Sequence, residues 1–146
     1  MRGLMWWVAL GLVLFALPHP VVRALGGEQG APKEIAVKKN PIAVSDGVLV
    51  KARKSYQDNC GQCHGGSGKG DGPMAGMLAE PPADLSNTRI MARITDGETF
   101  WNITKGKAPV MPAFESKLTE EERWSLVHVL RELSKTEPNN KPQAGK

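Results

Sequence analysis

The sequence predicts an all-α domain of about three to five short helices, and three observations carry that prediction. Apolar residues recur with a helical period in several separate stretches. Gly and Pro, at 16 and 11 of 146 residues, cut the chain into short pieces. No run alternates apolar and polar residues as a half-buried strand does, and no internal repeat is present. The length suits one domain. Only residues 45–134 look available for building a core, and a domain of roughly 90 residues has a poor surface-to-volume ratio and often needs reinforcement.

Taken in order, residues 1–24 read as a secretory signal. Arg2 supplies a short positive start, residues 4–17 are an uncharged apolar run, and Val22-Arg23-Ala24 offers a cleavage site after Ala24. The run is short for a bilayer span, and Pro18 and Pro20 follow it, so cleavage is favoured over an uncleaved anchor. Residues 25–44 mix Gly, Glu, Lys and Pro and read as a linker or flexible arm. Ser45 caps a first helix running to about Asn59, with Val48, Leu49, Ala52 and Tyr56 on one side. Residues 65–72 are too rich in glycine for regular structure. They match no phosphate-binding loop in register, and no apolar strand precedes them.

A short helical turn is expected near residues 74–79, stopped by Pro81 and Pro82. A further helical piece runs from Asp96 to Lys105, with Phe100, Trp101 and Ile103 as its apolar members, and Gly106 ends it. Pro109 and Pro112 then hold an extended loop containing Met111. Thr119 is a good N-cap, and Glu120, Glu121 and Glu122 suit the positive end of the last helix. That helix runs to about Leu133, with Leu126, Val129, Leu130 and Leu133 as its apolar arc and Val127 at the flank. Residues 135–146 read as a disordered tail.

The formal charge is +4, and removal of the signal leaves 17 basic against 15 acidic residues, or +2. So weak and dispersed a charge argues against nucleic acid as a partner.

The two cysteines, Cys60 and Cys63, are the only ones in the chain. A disulfide across so short a gap would constrain little of the unfolded chain, so chemistry explains the pair better. Cys60-Gly61-Gln62-Cys63-His64 has the spacing of covalent haem attachment. Two thiols one helical turn apart can each form a thioether to a porphyrin vinyl group, and the next residue then lies where an imidazole meets the iron. A thioredoxin-like dithiol wants a βαβ context that is missing, and a zinc site normally wants four ligands. One covalent haem c is therefore the expected cofactor and the missing centre of the core. For the second axial ligand the candidates are Met74, Met77, Met91, Met111 and His128. Met111 fits best, because its loop is stiffened by prolines and Phe114 follows. Core packing is the expectation for Met74, Met77 and Met91. His128 falls outside the apolar arc and is expected at the surface.

Residues 60–64, the Met111-Pro112-Ala113-Phe114 run and the final helix together resemble class I cytochrome c, in particular its bacterial periplasmic monohaem members, over residues 45–134. Residues 65–72, 82–85 and 96–101 also resemble stretches of such proteins. The resemblance implies a cytochrome c-like fold whose first and last helices cross beside the haem. It also implies His64 and Met111 on opposite faces of the haem, and a carbonyl of Pro81 or Pro82 that accepts the other imidazole N–H. Many relatives carry Gly where Ala52 stands and an aromatic where Val129 stands, an exchange that would conserve volume.

The function expected from these readings is a periplasmic one-electron carrier rather than an enzyme, either free, docking transiently on redox partner proteins around the haem edge, or as the cytochrome subunit of a periplasmic dehydrogenase or reductase. Lys51, Lys54, Lys69, Lys105, Lys107 and Lys117 are available to attract an acidic partner. The alternatives are a haem-based enzyme subunit or gas sensor with a labile sixth ligand, and a haem-free dithiol protein. A monomer with no membrane contact is expected once the signal is cleaved. An uncleaved segment would instead anchor the domain to the outer face of the inner membrane.

Overall fold

The computed structural model describes residues 30–136. The expected signal at 1–24 and the tail beyond 136 lie outside the described residues. Six α-helices and one 3-10 turn occupy the rest. They are α1 (Lys33–Ala36), α2 (Asp46–Asn59), α3 (Gly61–His64), the 3-10 turn (Ala75–Met77), α4 (Thr88–Met91), α5 (Asp96–Lys105) and α6 (Glu120–Thr136). Among the described residues the only extended pairing is an isolated bridge between Lys107 and Met111, so the domain is helical, as the periodicity predicts. No helix among the described residues is long and apolar enough to cross a membrane.

The longer helices start where their capping side chains are. Ser45 Oγ accepts from Val48 N–H at 3.3 Å and opens α2. Thr95 and Glu98 form a reciprocal capping box at α5. Thr119 and Glu122 do the same at α6, with Glu122 N–H on Thr119 Oγ1 at 3.2 Å and the Glu122 carboxylate on Thr119 N–H at 2.8 Å. Each box satisfies amide donors that a helix start leaves open. Thr119 N–H and Oγ1 both donate to the exposed Glu122 carboxylate, at 2.8 and 2.9 Å, and hold it below the usual carboxylate range.

The central packing is α2 across α6. Ala52, Tyr56, Val129 and Leu130 are buried there, so the first and last helices do cross. Val129 also lines a groove of about 510 Å³ between them, together with Tyr56 and Leu133. The small side chain at 129 therefore leaves room that the Ala52 methyl does not take up. On the other side of α6, α5 brings Phe100 onto Trp124 in a parallel stack, 4.1 Å between centroids. The Arg123 guanidinium lies 5.3 Å from the Phe100 centroid. That cation–π contact offsets part of the cost of burying Nε and Nη1, which have no hydrogen-bond partner among the described residues. Arg131 ties α6 to the α4–α5 connection, donating to the carbonyls of Met91 and Ile94 and pairing with Asp96 at 2.8 Å.

The stretch read as a linker or flexible arm is, over its described part, fastened to the domain. α1 packs on α5, and Gly97 lets the Ile35 carbonyl approach so closely that a Cβ at 97 would collide with it. Thr95 Oγ1 donates to Ala36 carbonyl at 2.7 Å, and Asn40 Nδ2 donates to Trp124 carbonyl at 2.8 Å. His128 Nε2 meets Ile42 carbonyl at 2.7 Å. The composition hid this because the contacts are mostly to backbone, which leaves no apolar signature. The arm also explains why Arg123 to Val127 are buried at five consecutive positions, wider than the predicted arc, since a helix covered on several sides loses its single apolar stripe.

Two methionines expected in the core are outside it. Met77 is 73% exposed on the 3-10 turn and Met74 is also exposed, because the turn packs on α3 through its backbone and leaves both side chains outward. Met91, 3% exposed, does pack in the core. α6 continues to Thr136, past the expected end at Leu133, and the Ser134 carbonyl accepts from Thr88 Oγ1 at 2.6 Å.

Candidate functional site

α2 ends by delivering Cys60 as its C-cap, with Cys60 N–H on the Tyr56 carbonyl at 2.8 Å. The chain turns at once into α3, where Cys63 and His64 N–H both return to the Cys60 carbonyl, at 3.1 and 2.8 Å. So short a helix has several carbonyls without helical partners. The glycine-rich segment supplies them: Gly70 N–H reaches His64 carbonyl at 2.9 Å, Gly72 reaches Cys63 at 3.1 Å, and Met74 reaches Gln62 at 2.8 Å. Density of glycine at 65–72 thus serves to wrap backbone around backbone.

The same segment holds the next wall. Leu85 N–H donates to Gly68 carbonyl at 2.6 Å, which anchors residues 82–85 beside α3. From there the Ala83 carbonyl accepts from His64 Nδ1 at 3.1 Å. The expected donor of this carbonyl was Pro81 or Pro82; the register set by the Gly68–Leu85 bond brings Ala83 to the ring instead. Because a carbonyl can only accept, Nδ1 carries the proton and Nε2 is left as the lone-pair nitrogen, the tautomer a metal ligand needs. Burial holds the His64 pKa below the ordinary histidine value, and the Ala83 bond opposes that only in part.

Met111 arrives from the far side by a different device. Lys107 and Met111 exchange two backbone hydrogen bonds, each 2.8 Å. Phe114 N–H then reaches Ile103 carbonyl at 3.1 Å and Glu115 N–H reaches Thr104 at 3.3 Å. The loop is therefore closed across Lys107 and Met111, and just after Met111 it is pinned to the C-terminal end of α5. Gly106 makes the approach possible. It has φ +72, and a Cβ there would strike the Met111 carbonyl and the Pro112 backbone.

These walls enclose one cavity of about 400 Å³, lined by Cys60, Cys63 and His64 on one side, Pro81, Pro82 and Ala83 below, and Met111, Pro112 and Phe114 opposite. Its size is that of a small-ligand or cofactor site. Of the candidate ligands, Met111 alone joins His64 in lining it; Met91 is in the core, Met74 and Met77 are on the surface turn, and His128 is bonded to the arm. The larger groove between α2 and α6 is lined by no thiol, imidazole or thioether. Both cysteines are free thiols. Burial, with a smaller contribution from Cys63 and against the pull of Lys117, pushes the Cys60 thiol up to about 11. Two thiols one turn apart, a neutral imidazole with Nε2 available and a thioether on an apolar opposite wall fit a covalently attached haem. Among the described residues no three His, Cys, Asp or Glu side chains converge on a metal ion by themselves.

Comparison with known proteins agrees with that chemistry. A family model described as cytochrome c oxidase, cbb3-type, subunit III matches residues 49–128, more than half of the chain. Among solved structures, the KustC0563 c-type cytochrome is 29% identical with a TM-score of 0.50, and the match covers 56% of this chain and 95% of that one. A mutant of that cytochrome matches at 27% identity and a TM-score of 0.50, covering 56% and 96%. A chain of the Kuenenia stuttgartiensis reducing HAO-like protein complex Kustc0457/Kustc0458 is 25% identical with a TM-score of 0.56. That match covers 64% of this chain and 46% of the other, so this protein corresponds to about half of that neighbour. No curated protein matches the sequence.

Proposed function

The chain belongs to the family described as cytochrome c oxidase, cbb3-type, subunit III, is a monohaem c-type cytochrome of the class I kind with a covalently bound haem c, and serves electron transfer; on that premise we propose that it is a periplasmic one-electron carrier with His64 and Met111 as axial ligands. The observation that carries the ligand assignment is that Met111 lines the same cavity as Cys60, Cys63 and His64. Bound there, haem c supplies one-electron exchange at its iron.

Each residue then has a separate task. Cys60 and Cys63 would hold the cofactor in position through thioethers. His64, with Nδ1 committed to Ala83 carbonyl, offers Nε2, and the shared N–H raises its basicity as a ligand. Met111 offers a soft neutral sulfur that favours the ferrous state and raises the potential relative to a second imidazole. Phe114 and Pro112 keep water from that side. Lys107, at the cavity rim, and Lys117, close enough to influence Cys60, give the mouth a positive flank suited to an acidic redox partner. Export by residues 1–24 and a monomeric state are part of the same proposal.

A second reading is favoured by one observation. The neighbour from a reducing HAO-like complex is a longer chain, of which this protein spans 46%. A cytochrome subunit of an oxidoreductase complex would use the same site with a lasting partner in place of transient ones.

The test is an absorption spectrum of the reduced holoprotein before and after carbon monoxide. Sharp low-spin bands that do not respond to carbon monoxide are expected. A shift on adding the gas means an open or labile sixth position and removes the closed-carrier reading in favour of a sensor or enzyme subunit.

A further inference from the structure

Tyr56 is the only tyrosine of the chain, and it is 1% exposed. It sits one helical turn before Cys60, where packing alone would be served as well by phenylalanine. Its hydroxyl nevertheless donates to the Gly65 carbonyl at 2.8 Å, in a buried setting. Burial, with smaller contributions from Cys60 and Asp71, pushes the phenol above its usual range, so it remains a donor at any pH the protein meets. The backbone carbonyl of the same residue accepts Cys60 N–H at 2.8 Å.

We propose that Tyr56 is a positioning residue for the haem-attachment turn, bracketing residues 60–65 through its carbonyl at one end and its hydroxyl at the other. This rests on the reading of residues 60–64 as the haem-attachment segment. The far end is where a bracket matters. Gly65 caps α3 directly after His64, with φ +75, and the chain leaves from it into the loop whose Gly70 and Gly72 amides close onto His64 and Cys63. Without the phenol, the Gly65 carbonyl keeps, among the described residues, the longer bond from Gly68 N–H at 3.2 Å. The direction of the peptide after His64, and with it the ring's alignment on Ala83, is then less firmly set. Tyr56 touches neither ligand. It acts through the turn that carries them.

The experiment compares wild-type and Tyr56→Phe holoproteins, after mass spectrometry has established covalent haem on the wild type. Absence of haem there refutes the site reading itself, separately from this proposal. Amide hydrogen exchange is measured at Gly70 and Gly72 and at reference amides in the middle of α6, together with the midpoint potential. Loss of one buried hydrogen bond is expected to speed exchange at Gly70 and Gly72 by roughly tenfold more than in α6, and to move the potential. Replacing Tyr56 with 4-aminophenylalanine, which restores an N–H donor at the same place, is expected to return both readouts toward wild type. Exchange that is unchanged, or that rises equally in α6, overturns the proposal whatever the potential does, because only overall stability would then depend on the hydroxyl. If the Phe variant yields too little holoprotein to measure, the 4-aminophenylalanine protein decides: recovery of yield supports the bracket and no recovery overturns it.

Discussion

The two walls of the cavity are built differently. The His64 wall is contiguous in sequence: α2, the turn of α3 and the glycine loop lie within residues 46–74, and their hydrogen bonds close on one another. The Met111 wall is a loop with no helix of its own, closed on itself by the two Lys107–Met111 backbone bonds and hung from the end of α5 by two more. One side is locally determined and, with the proposed attachment through Cys60 and Cys63, would be further secured by two covalent links to the cofactor. The other depends on a single glycine and on where α5 stops. Substitutions on the first side are therefore expected to decide whether haem is held, and those on the second to decide how reactive it is.

The largest effect should come from His64→Ala and from Cys63→Ala. The first is expected to abolish the low-spin spectrum in both oxidation states. The second leaves a single thioether, read as haem that is held by Cys60 alone in peptide mass spectra. Next comes Met111→Ala, for which haem should remain covalently bound while carbon monoxide binding goes from absent to stoichiometric and the potential falls. Unchanged resistance to carbon monoxide in that variant would move the sixth ligand elsewhere.

Gly106→Ala probes the hinge of the weaker wall. A side chain in the left-handed region, facing the Met111 backbone, is expected to cost roughly 1–3 kcal/mol in denaturant unfolding and to raise carbon monoxide binding without loss of haem. The acid limb has a defined sign as well. His64 has a native pKa below its unfolded value because burial disfavours the charged ring. Stability is thus complete above the ordinary histidine pKa and lost as pH falls from there through the lowered native value, since the unfolded state takes up the proton first. Iron ligation deepens the same trend, because the ligand must be deprotonated. Stability and low-spin absorbance should fall together on acidification, and an acid titration that leaves both flat to below pH ~4 contradicts it.

The smallest effect is reserved for a residue outside the cavity lining. Thr119→Ala removes the capping box of α6 and should cost about 1 kcal/mol with no change in spectrum or potential. The depressed Glu122 carboxyl adds a small part of its own, present above the usual carboxylate range and lost as pH falls through the lowered native value.

What the sequence disclosed follows the same division. The starts of α2, α5 and α6 were legible because Ser45, Thr119 and the apolar periods behind them are local signals. The attachment motif at residues 60–64 could be proposed because its chemistry needs a fixed spacing. The carbonyl on His64 was misplaced by one or two residues, since its register depends on the Gly68–Leu85 bond between segments. The arm was misread for a similar reason. Asn40 and Thr95 make their contacts to distant backbone, and nothing in a window around either residue announces it. Met111 was proposed from its prolines and Phe114, while the bonds that shape its loop, between Lys107 and Met111 and from Phe114 and Glu115 to the end of α5, are visible only in the folded chain.

His64/Met111 ligation is best probed by a proton NMR spectrum of the ferrous holoprotein, wild type against Met111→Ala. A methionine methyl that ligates ferrous haem sits in the ring current of the porphyrin and resonates far upfield of every other methyl. The account predicts one such resonance in the wild type and its disappearance in Met111→Ala, with haem still attached through Cys60 and Cys63. Persistence of that resonance in the variant, or its absence from the wild type, would contradict His64/Met111 ligation.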